Sequence, residues 1–156
     1  MKVRQNIEIV SGGQTGADRA ALDFAIAHGI PHRGWCPKNR RAEDGPIRAE
    51  YGLRETPSTH YAQRTEWNVR DSDGTLIITI KPTVTGGTRL TQALATRCGK
   101  PVLHISRDQD FSAHAQVRTF LDQYNVRVLN VAGPRASQEP EIGSVVQSVL
   151  EATLLE

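Results

Sequence analysis

The sequence is poor in cysteine, with two in 156 residues, and Cys36 and Cys98 form no CxxC motif. Neither has a histidine partner at zinc-binding spacing, and the five histidines are scattered, so we expect no metal site and a reducing compartment. No apolar run approaches the ~20 residues that cross a bilayer, and no apolar signal-peptide core opens the chain. We therefore expect a cytoplasmic protein without a membrane partner.

Aromatic residues make up only 5% of the chain, and the formal net charge is only +2. Both values argue against nucleic-acid binding, which uses basic surfaces and base-stacking side chains. The basic residues are mostly arginine, 15 against four lysines, and a planar guanidinium matches phosphates and other oxyanions. Seven of these arginines lie in residues 33–70, a segment with a local charge of +3. This pattern favours a small, discrete anionic ligand.

The length of the chain suits one domain spanning residues 1–156, and apolar patterning predicts that strands and helices alternate along it. Strands are predicted at 7–10, 32–35, 74–80, 102–105 and 126–131, and helices at 17–27, 58–69, 85–98, 112–124 and from 140 or 141 to 155, with Ser58 and Ser112 as N-caps. Residues 36–57, rich in proline, glycine and charge, predict a long loop that is either functional or mobile. We predict a Rossmann-like, doubly wound α/β fold with about five mostly parallel strands and helices on both faces.

Three strand-to-helix junctions combine glycine with polar side chains, at residues 11–16, 85–88 and 130–135. Glycine lets backbone N–H groups approach an anion, and a helix N-terminus attracts it. The candidate binding residues here are Ser11, Gly12, Gly13, Gln14, Thr15, Gly16, Thr85, Gly86, Gly87, Thr88, Gly133 and Arg135. The first junction lacks the lysine of a P-loop, which argues against that motif. It also lacks the acidic residue that follows a dinucleotide-binding fingerprint by ~20 residues, at the end of the second strand, which argues against dinucleotide binding.

Further candidates lie between the junctions. Arg19, Lys38, Arg40 and Arg41 are candidate counter-charges, although Arg40 and Arg41 could instead pair with Glu43 and Asp44 in their own loop. Asn68, Asp71 and Asp73 are candidate acceptors for ligand N–H groups, with capping of a helix end and turn as the alternative. Arg64 and Glu66 are predicted to form helix-surface ion pairs, and Cys36 and Cys98 to be buried.

Five stretches of the chain resemble the molybdenum carrier family, whose members include molybdenum cofactor carrier proteins. They are SGGQTGADRA (11–20), GWCPK (34–38), RRAEDGPI (40–47), RTEWNVRDSDGTL (64–76) and NVAGPR (130–135). The resemblance implies a Rossmann-like fold, a homo-oligomer (dimer or tetramer), and binding of molybdenum cofactor (molybdopterin) or of molybdate or a related oxyanion. Molybdenum-cofactor enzymes or biosynthesis proteins would be the partners of such a carrier.

The enzymatic alternative comes from the related lonely-guy phosphoribohydrolases, whose motif is Pro-Gly-Gly-x-Gly-Thr-x-x-Glu. The corresponding stretch here, residues 85–91, ends on Thr91, which cannot act as the general acid. A catalytic carboxylate would have to come from Asp18, Glu43 or Asp44. We therefore expect a non-catalytic carrier, with a nucleotide-binding or nucleotide-hydrolysing protein as the alternative.

Overall fold

The computed structural model describes residues 2–109 and 112–156. Its strands are β1 (Glu8–Val10), β2 (His32–Arg33), β3 (Trp35–Cys36), β4 (Arg54–Glu55), β5 (Gly74–Thr79), β6 (Val102–Ser106) and β7 (Val128–Ala132). Its helices are α1 (Ala17–Ala27), α2 (Tyr61–Arg70), α3 (Gly86–Arg97), α4 (Ala113–Gln123) and α5 (Ile142–Leu154). Within these residues no helix combines the length and the apolarity needed to cross a membrane.

Five strands form one parallel sheet in the order β2-β1-β7-β5-β6. The chain runs outward from β1 to β2 on one side and from β5 to β6 on the other, and β7 returns to the centre. The strand order therefore reverses around β7, and the loops at the carboxyl ends of β1, β5 and β7 surround the usual ligand position of such sheets. The predicted fold class, a Rossmann-like doubly wound α/β fold, is confirmed.

The centre of the sheet is buried on both faces because helices cover it. All six residues of β5 are buried, as the lack of alternation in 74–80 predicts. Helices α1, α5 and α4 pack side by side, and α2 packs against α3. The main core cluster joins Ile9 and Leu76 of the sheet to Phe24 and Leu150 of the helices.

The predicted strand 32–35 is wrong in one respect, since it divides at Gly34. The φ angle of Gly34 is +154°, and a Cβ there would lie 2.0 Å from the carbonyl oxygen of Ser11. The chain therefore bends away from the main sheet after β2. Beyond the bend, β3 pairs with β4 in a separate two-stranded parallel sheet. Cys36 and the whole of β4 lie inside the segment 36–57, for which no strand was predicted.

Three local predictions need correction. Ser58 does not cap α2, because the helix begins at Tyr61 after His60, and the Ser58 hydroxyl instead accepts the His60 N–H at 3.0 Å. Ser112 occupies the N-cap position of α4 but makes no side-chain capping bond. Cys98 is exposed at the end of α3, whereas Cys36 is buried as predicted, beside Leu22 and Leu53 in a second apolar cluster.

Candidate functional site

The three glycine-containing junctions meet around one cavity of about 270 Å³, which we call the junction cavity. The first junction contributes Gln14, the second Gly87 and Thr88, and the third Gly133 and Arg135. Asp18 of α1 and Tyr61, Arg64 and Thr65 of α2 complete most of its wall. The expectation that these loops lie at one edge of the sheet is thus confirmed. Helix α2 forms a further wall of the cavity, which the strand pattern did not predict.

Glycine is required where the junction backbones touch. Gly16 has a φ angle of +81°, and a Cβ there would lie 2.5 Å from the carbonyl oxygen of Pro134 in the third junction. A Cβ on Gly133 would lie 2.4 Å from the carbonyl oxygen of Ile78. These close approaches bring the ends of β1, β5 and β7 together around the cavity.

A buried ion pair lies at the base of the cavity. Nη1 of Arg64 donates to Oδ2 of Asp18 at 3.0 Å, and the two side chains are 14% and 7% exposed. Burial raises the pKa of Asp18, while the charge of Arg64 and the N–H of Gln14 act in the opposite direction. The prediction that Arg64 is a helix-surface residue is wrong, because α2 turns this face onto the junctions. Glu66, two residues further along α2, does form an exposed ion pair with Arg97 at 3.6 Å.

The N-terminus of α3 supplies backbone donors. Thr85 precedes the helix and makes no side-chain capping bond, so its hydroxyl does not occupy the N–H groups of the first turn. Gly87 and Thr88 of this turn line the junction cavity. Thr88 and Gln138 also line an adjoining cavity of about 330 Å³, which Lys81 and Thr83 help to form and which we call the threonine cavity. The helix N-terminus therefore lies beside two neighbouring cavities and favours negative charge in both.

Guanidinium groups surround Tyr61 on the wall of the junction cavity. The Cζ atoms of Arg135, Arg41 and Arg64 lie 4.3, 4.9 and 5.8 Å from the centre of the Tyr61 ring. Among the described residues no ion pair involves Arg135. Arg135 therefore carries a positive charge into the cavity, where it contacts the face of Tyr61 and is attracted by the carboxyl groups of Asp18 and Glu43.

Gln14 is the buried polar side chain of the first junction. It is 2% exposed, and its Nε2 donates to the carbonyl oxygen of Arg41 at 2.8 Å. Its Oε1 has no hydrogen-bond partner among the described residues. An unpaired buried acceptor is costly, so this atom marks a place where a ligand donor would be favourable.

All four counter-charges predicted between the junctions lie outside the junction cavity, and Arg41 lines a separate cavity in its own loop. Arg19 pairs with Asp44 at 2.8 Å and also donates to the carbonyl oxygen of Gly13. Arg40 donates to three backbone carbonyl oxygens, at residues 47, 48 and 53. Lys38 is exposed beside a separate cavity within its own loop. These arginines therefore hold the loop in place, with their donors already used.

The alternative that the loop is self-paired is wrong as well. Glu43 accepts hydrogen bonds from the hydroxyls of Thr15 and Ser137, which lie beyond the loop. The hydroxyl of Thr15 in turn accepts the N–H of Ala136 at 3.2 Å. These bonds hold the pKa of Glu43 below its usual range. The loop is consequently clasped to the first and third junctions by its acidic residues.

The proposed acceptors after α2 are also occupied by protein groups. Asn68 accepts the Trp35 N–H at 2.8 Å and donates to the Trp35 carbonyl oxygen at 2.9 Å. Asp71 accepts from the Trp35 indole at 2.8 Å, and Asp73 accepts the N–H groups of residues 127 and 128. These side chains thus join the end of α2 and the following turn to β3 and to residues 127 and 128, instead of capping the helix end as the alternative predicted. None of them lines the junction cavity.

The remaining predicted residues shape the cavity without lining it. The Ser11 hydroxyl donates to the Asp18 carbonyl oxygen at 2.8 Å and accepts the Gly13 N–H at 3.2 Å. A Cβ on Gly12 would lie 1.9 Å from Nη1 of Arg64. Thr85 lies in the threonine cavity, and Gly86 has the positive φ angle of +54° at the start of α3. Within the described residues no group of histidine, cysteine or acidic side chains could hold a metal ion.

Sequence reasoning missed Tyr61 and Gln138 as wall residues and misassigned Arg64. Arg64 lies in a stretch that carries the family resemblance, which is the signal that could have singled it out. Its partner Asp18 is 46 residues away on another helix, so no local spacing reveals the pair. Tyr61 and Gln138 lie outside every stretch of that resemblance.

The chain is similar to known proteins over nearly its whole length. Residues 9–154 match the circularly permutated YpsA SLOG family. The crystal structure of a protein named "Putative molybdenum carrier protein", from Syntrophus aciditrophicus SB, has 46% sequence identity and a TM-score of 0.93, covering 98% of each chain.

A weaker likeness is found to (E)-4-hydroxy-3-methyl-but-2-enyl diphosphate reductase, with 11% identity and a TM-score of 0.42 over 93% of this chain and 59% of that one. That likeness is too low to bear on fold or function. No curated protein shows a significant match.

Proposed function

Because this chain belongs to the circularly permutated YpsA SLOG family, we propose that it is a non-catalytic carrier that binds molybdenum cofactor, or molybdate, in the junction cavity. The name of the similar protein from Syntrophus aciditrophicus supports molybdenum as the cargo. The single observation that carries the proposal is the convergence of the α3 N-terminus, Arg64 and Arg135 on one cavity between the three junctions.

The charges of the cavity suit an oxyanion. Arg64 and Arg135 bring two positive charges and Asp18 one negative charge, and the α3 N-terminus adds a partial positive charge. A helix N-terminus contributes up to ~2 kcal/mol toward a partly buried anion, and a hydrogen bond to a charged group about 1.5–3 kcal/mol. These terms favour binding of a compact, multiply charged group such as a phosphate or molybdate.

The space available suits a cargo larger than molybdate alone. The junction and threonine cavities measure about 270 and 330 Å³ and share Thr88 and Gln138. Together they fall within the ~300–1,000 Å³ of small-molecule sites. Molybdenum cofactor has a terminal phosphate, a polar pterin and a dithiolene-bound metal. Its phosphate would lie at the α3 N-terminus, with the rest of the molecule extending into either cavity.

The nucleotide-hydrolase alternative rests on Asp18. Glu43 and Asp44 line neither cavity and are engaged with other groups, and the hydroxyl of Thr91 donates to the Gly87 carbonyl oxygen at 3.0 Å. Asp18 does line the junction cavity, and a raised pKa is typical of a general acid. Its direct ion pair with Arg64 favours a structural and electrostatic role instead.

Titration calorimetry with molybdenum cofactor, molybdate, sulfate and adenosine monophosphate tests the proposal. We expect the protein to bind molybdenum cofactor and molybdate and to leave adenosine monophosphate unhydrolysed. Thr88→Asp places a negative charge at the α3 N-terminus and should lower molybdate affinity at least tenfold, which corresponds to ~1.4 kcal/mol.

Two further variants separate loss of binding from loss of folding. Arg135→Ala removes a positive charge from the cavity at a half-buried position and should weaken molybdate binding without affecting the core. Thr96→Asp makes the same change as Thr88→Asp at an exposed position in the last turn of α3 and should leave affinity unchanged. Turnover of adenosine monophosphate without binding of either molybdenum ligand would overturn the proposal.

A further inference from the structure

The unpaired acceptor of Gln14 distinguishes the junction cavity from a simple anion site. The side chain is 2% exposed and lines the cavity, and its Oε1 finds no hydrogen-bond donor among the described residues. We propose that Gln14 is a specificity-determining residue whose Oε1 accepts a hydrogen bond from an N–H or O–H group of the cargo. This inference rests on the proposed function and specifies the class of cargo.

The orientation of the Gln14 amide is fixed by its surroundings. Nε2 donates to the carbonyl oxygen of Arg41 at 2.8 Å, so the opposite orientation would bring two acceptor oxygens together. The main-chain N–H of Gln14 points to Oδ2 of Asp18 at 3.3 Å, which holds the backbone in place. Oε1 is consequently an acceptor at a fixed position, already ordered before a ligand arrives.

An acceptor at this position discriminates between classes of ligand. The other polar groups suited to an anion here are donors, namely Arg64, Arg135 and the N–H groups of the α3 N-terminus. A bare oxyanion offers only acceptor oxygens, so it would leave Oε1 unpaired. A cargo that has an anionic group at one end and a ring N–H or amino group at the other satisfies both sides of the cavity.

No other acceptor predicted for this role is free to fulfil it. Asn68 and Asp71 are bonded to Trp35, and Asp73 to the main chain before β7. Asp18 has Arg64 as its direct partner. The unpaired Oε1 of Gln14 thus favours a phosphorylated heterocycle with N–H donors over a bare oxyanion.

The test is anaerobic titration calorimetry of Gln14→Met with molybdenum cofactor and with molybdate. Methionine has a similar length but no comparable acceptor, so cofactor affinity should fall about tenfold, the loss expected for one hydrogen bond in a buried site. Molybdate affinity should stay within about twofold of wild type, because molybdate has no donor for Oε1.

Gln14→Met also removes the bond to the Arg41 carbonyl, so a control must loosen the same loop. Asp44→Asn weakens the attachment of that loop to Arg19 without changing a cavity residue, and it should alter neither affinity. Equal loss of both affinities in Gln14→Met, or no loss of either, would overturn the assignment of Gln14. Failure of the wild-type protein to bind either ligand would instead overturn the proposed function itself.

Discussion

Gly12 is the residue on which the buried ion pair most depends. Nη1 of Arg64 occupies the position where a side chain at residue 12 would begin, 1.9 Å from an added Cβ. This residue is therefore glycine for a packing reason, since the guanidinium passes directly over the backbone to reach Asp18. In the sequence, Gly12 suggests a flexible loop. In the folded protein, it leaves room for the Arg64 guanidinium to contact the backbone.

We predict that Gly12→Ala displaces Arg64 from Asp18. Anion affinity should fall about tenfold, and the free energy of unfolding by about 1–3 kcal/mol, because a buried charge loses its partner. Calorimetry with molybdate and thermal denaturation measure the two effects. The fold itself should persist, since the obstructing atoms belong to the end of a long side chain.

Gly143→Ala is the matched control for that variant. Gly143 lies inside α5, and a Cβ there would meet only the Cβ of Ala20, at an ordinary 3.9 Å. Alanine should stabilise this helix by ~0.5–1 kcal/mol without changing molybdate affinity. If Gly12→Ala binds molybdate as tightly as Gly143→Ala does, the Asp18–Arg64 pair has no part in anion binding.

At the scale of elements, the segment between β3 and α2 is held down by its charged residues. Glu43 reaches the first and third junctions, Asp44 holds Arg19, and Arg40 binds three carbonyl oxygens. The segment also contains β4, a one-turn 3-10 helix at residues 49–51, and a turn at residues 38–40 in which Asn39 and Arg40 have positive φ angles. The length and composition of the loop predicted that it is functional or mobile, but they left its internal ties unspecified.

Glu43→Gln should release this clasp. Amide hydrogen exchange of residues 38–47 should speed up at neutral pH, because a neutral amide accepts more weakly from Thr15 and Ser137. Since the pKa of Glu43 is lowered in the folded protein, the clasp stabilises the wild type above the usual carboxyl pKa and weakens as pH falls through the lowered value. The difference in exchange rate between wild type and Glu43→Gln should therefore vanish at acid pH.

The control for Glu43→Gln is Glu50→Gln in the same segment. Glu50 forms an exposed pair with Arg48, and such pairs contribute little to stability. Exchange rates in residues 38–47 should match those of wild type. Equal acceleration in both variants would indicate a general effect of charge and would refute the clasp.

For the molecule as a whole, most of the fold was predicted from the pattern of strands. The lack of polar alternation in β5 and the glycine-containing loops after β1, β5 and β7 predicted a parallel sheet with its junctions on one edge. What the sequence could not reveal are contacts between distant segments. The Asp18–Arg64 pair and the occupied amide of Asn68 each depend on how α2 packs against other elements.

The arginine excess in residues 33–70 illustrates the same limit. Most of these arginines have protein partners: Arg33 pairs with Glu8, Arg48 with Glu50 and Arg70 with Asp71, while Arg54 stacks 4.1 Å from the Trp35 ring. Of the seven arginines in this segment, only Arg64 lines the junction cavity. The prediction of an anionic ligand was thus based on a cluster of arginines that mostly stabilise the fold.

The anomalous scattering of molybdenum, in crystals of this protein grown with molybdate, tests most directly whether the junction cavity is the anion site. We predict one strong peak in the junction cavity, with the anion oxygens within hydrogen-bond reach of the Gly87 or Thr88 N–H and of Arg135. A peak confined to the surface loop around Lys38 and Arg41, or no peak when calorimetry shows binding, would contradict the central claim that the three junctions form the anion site.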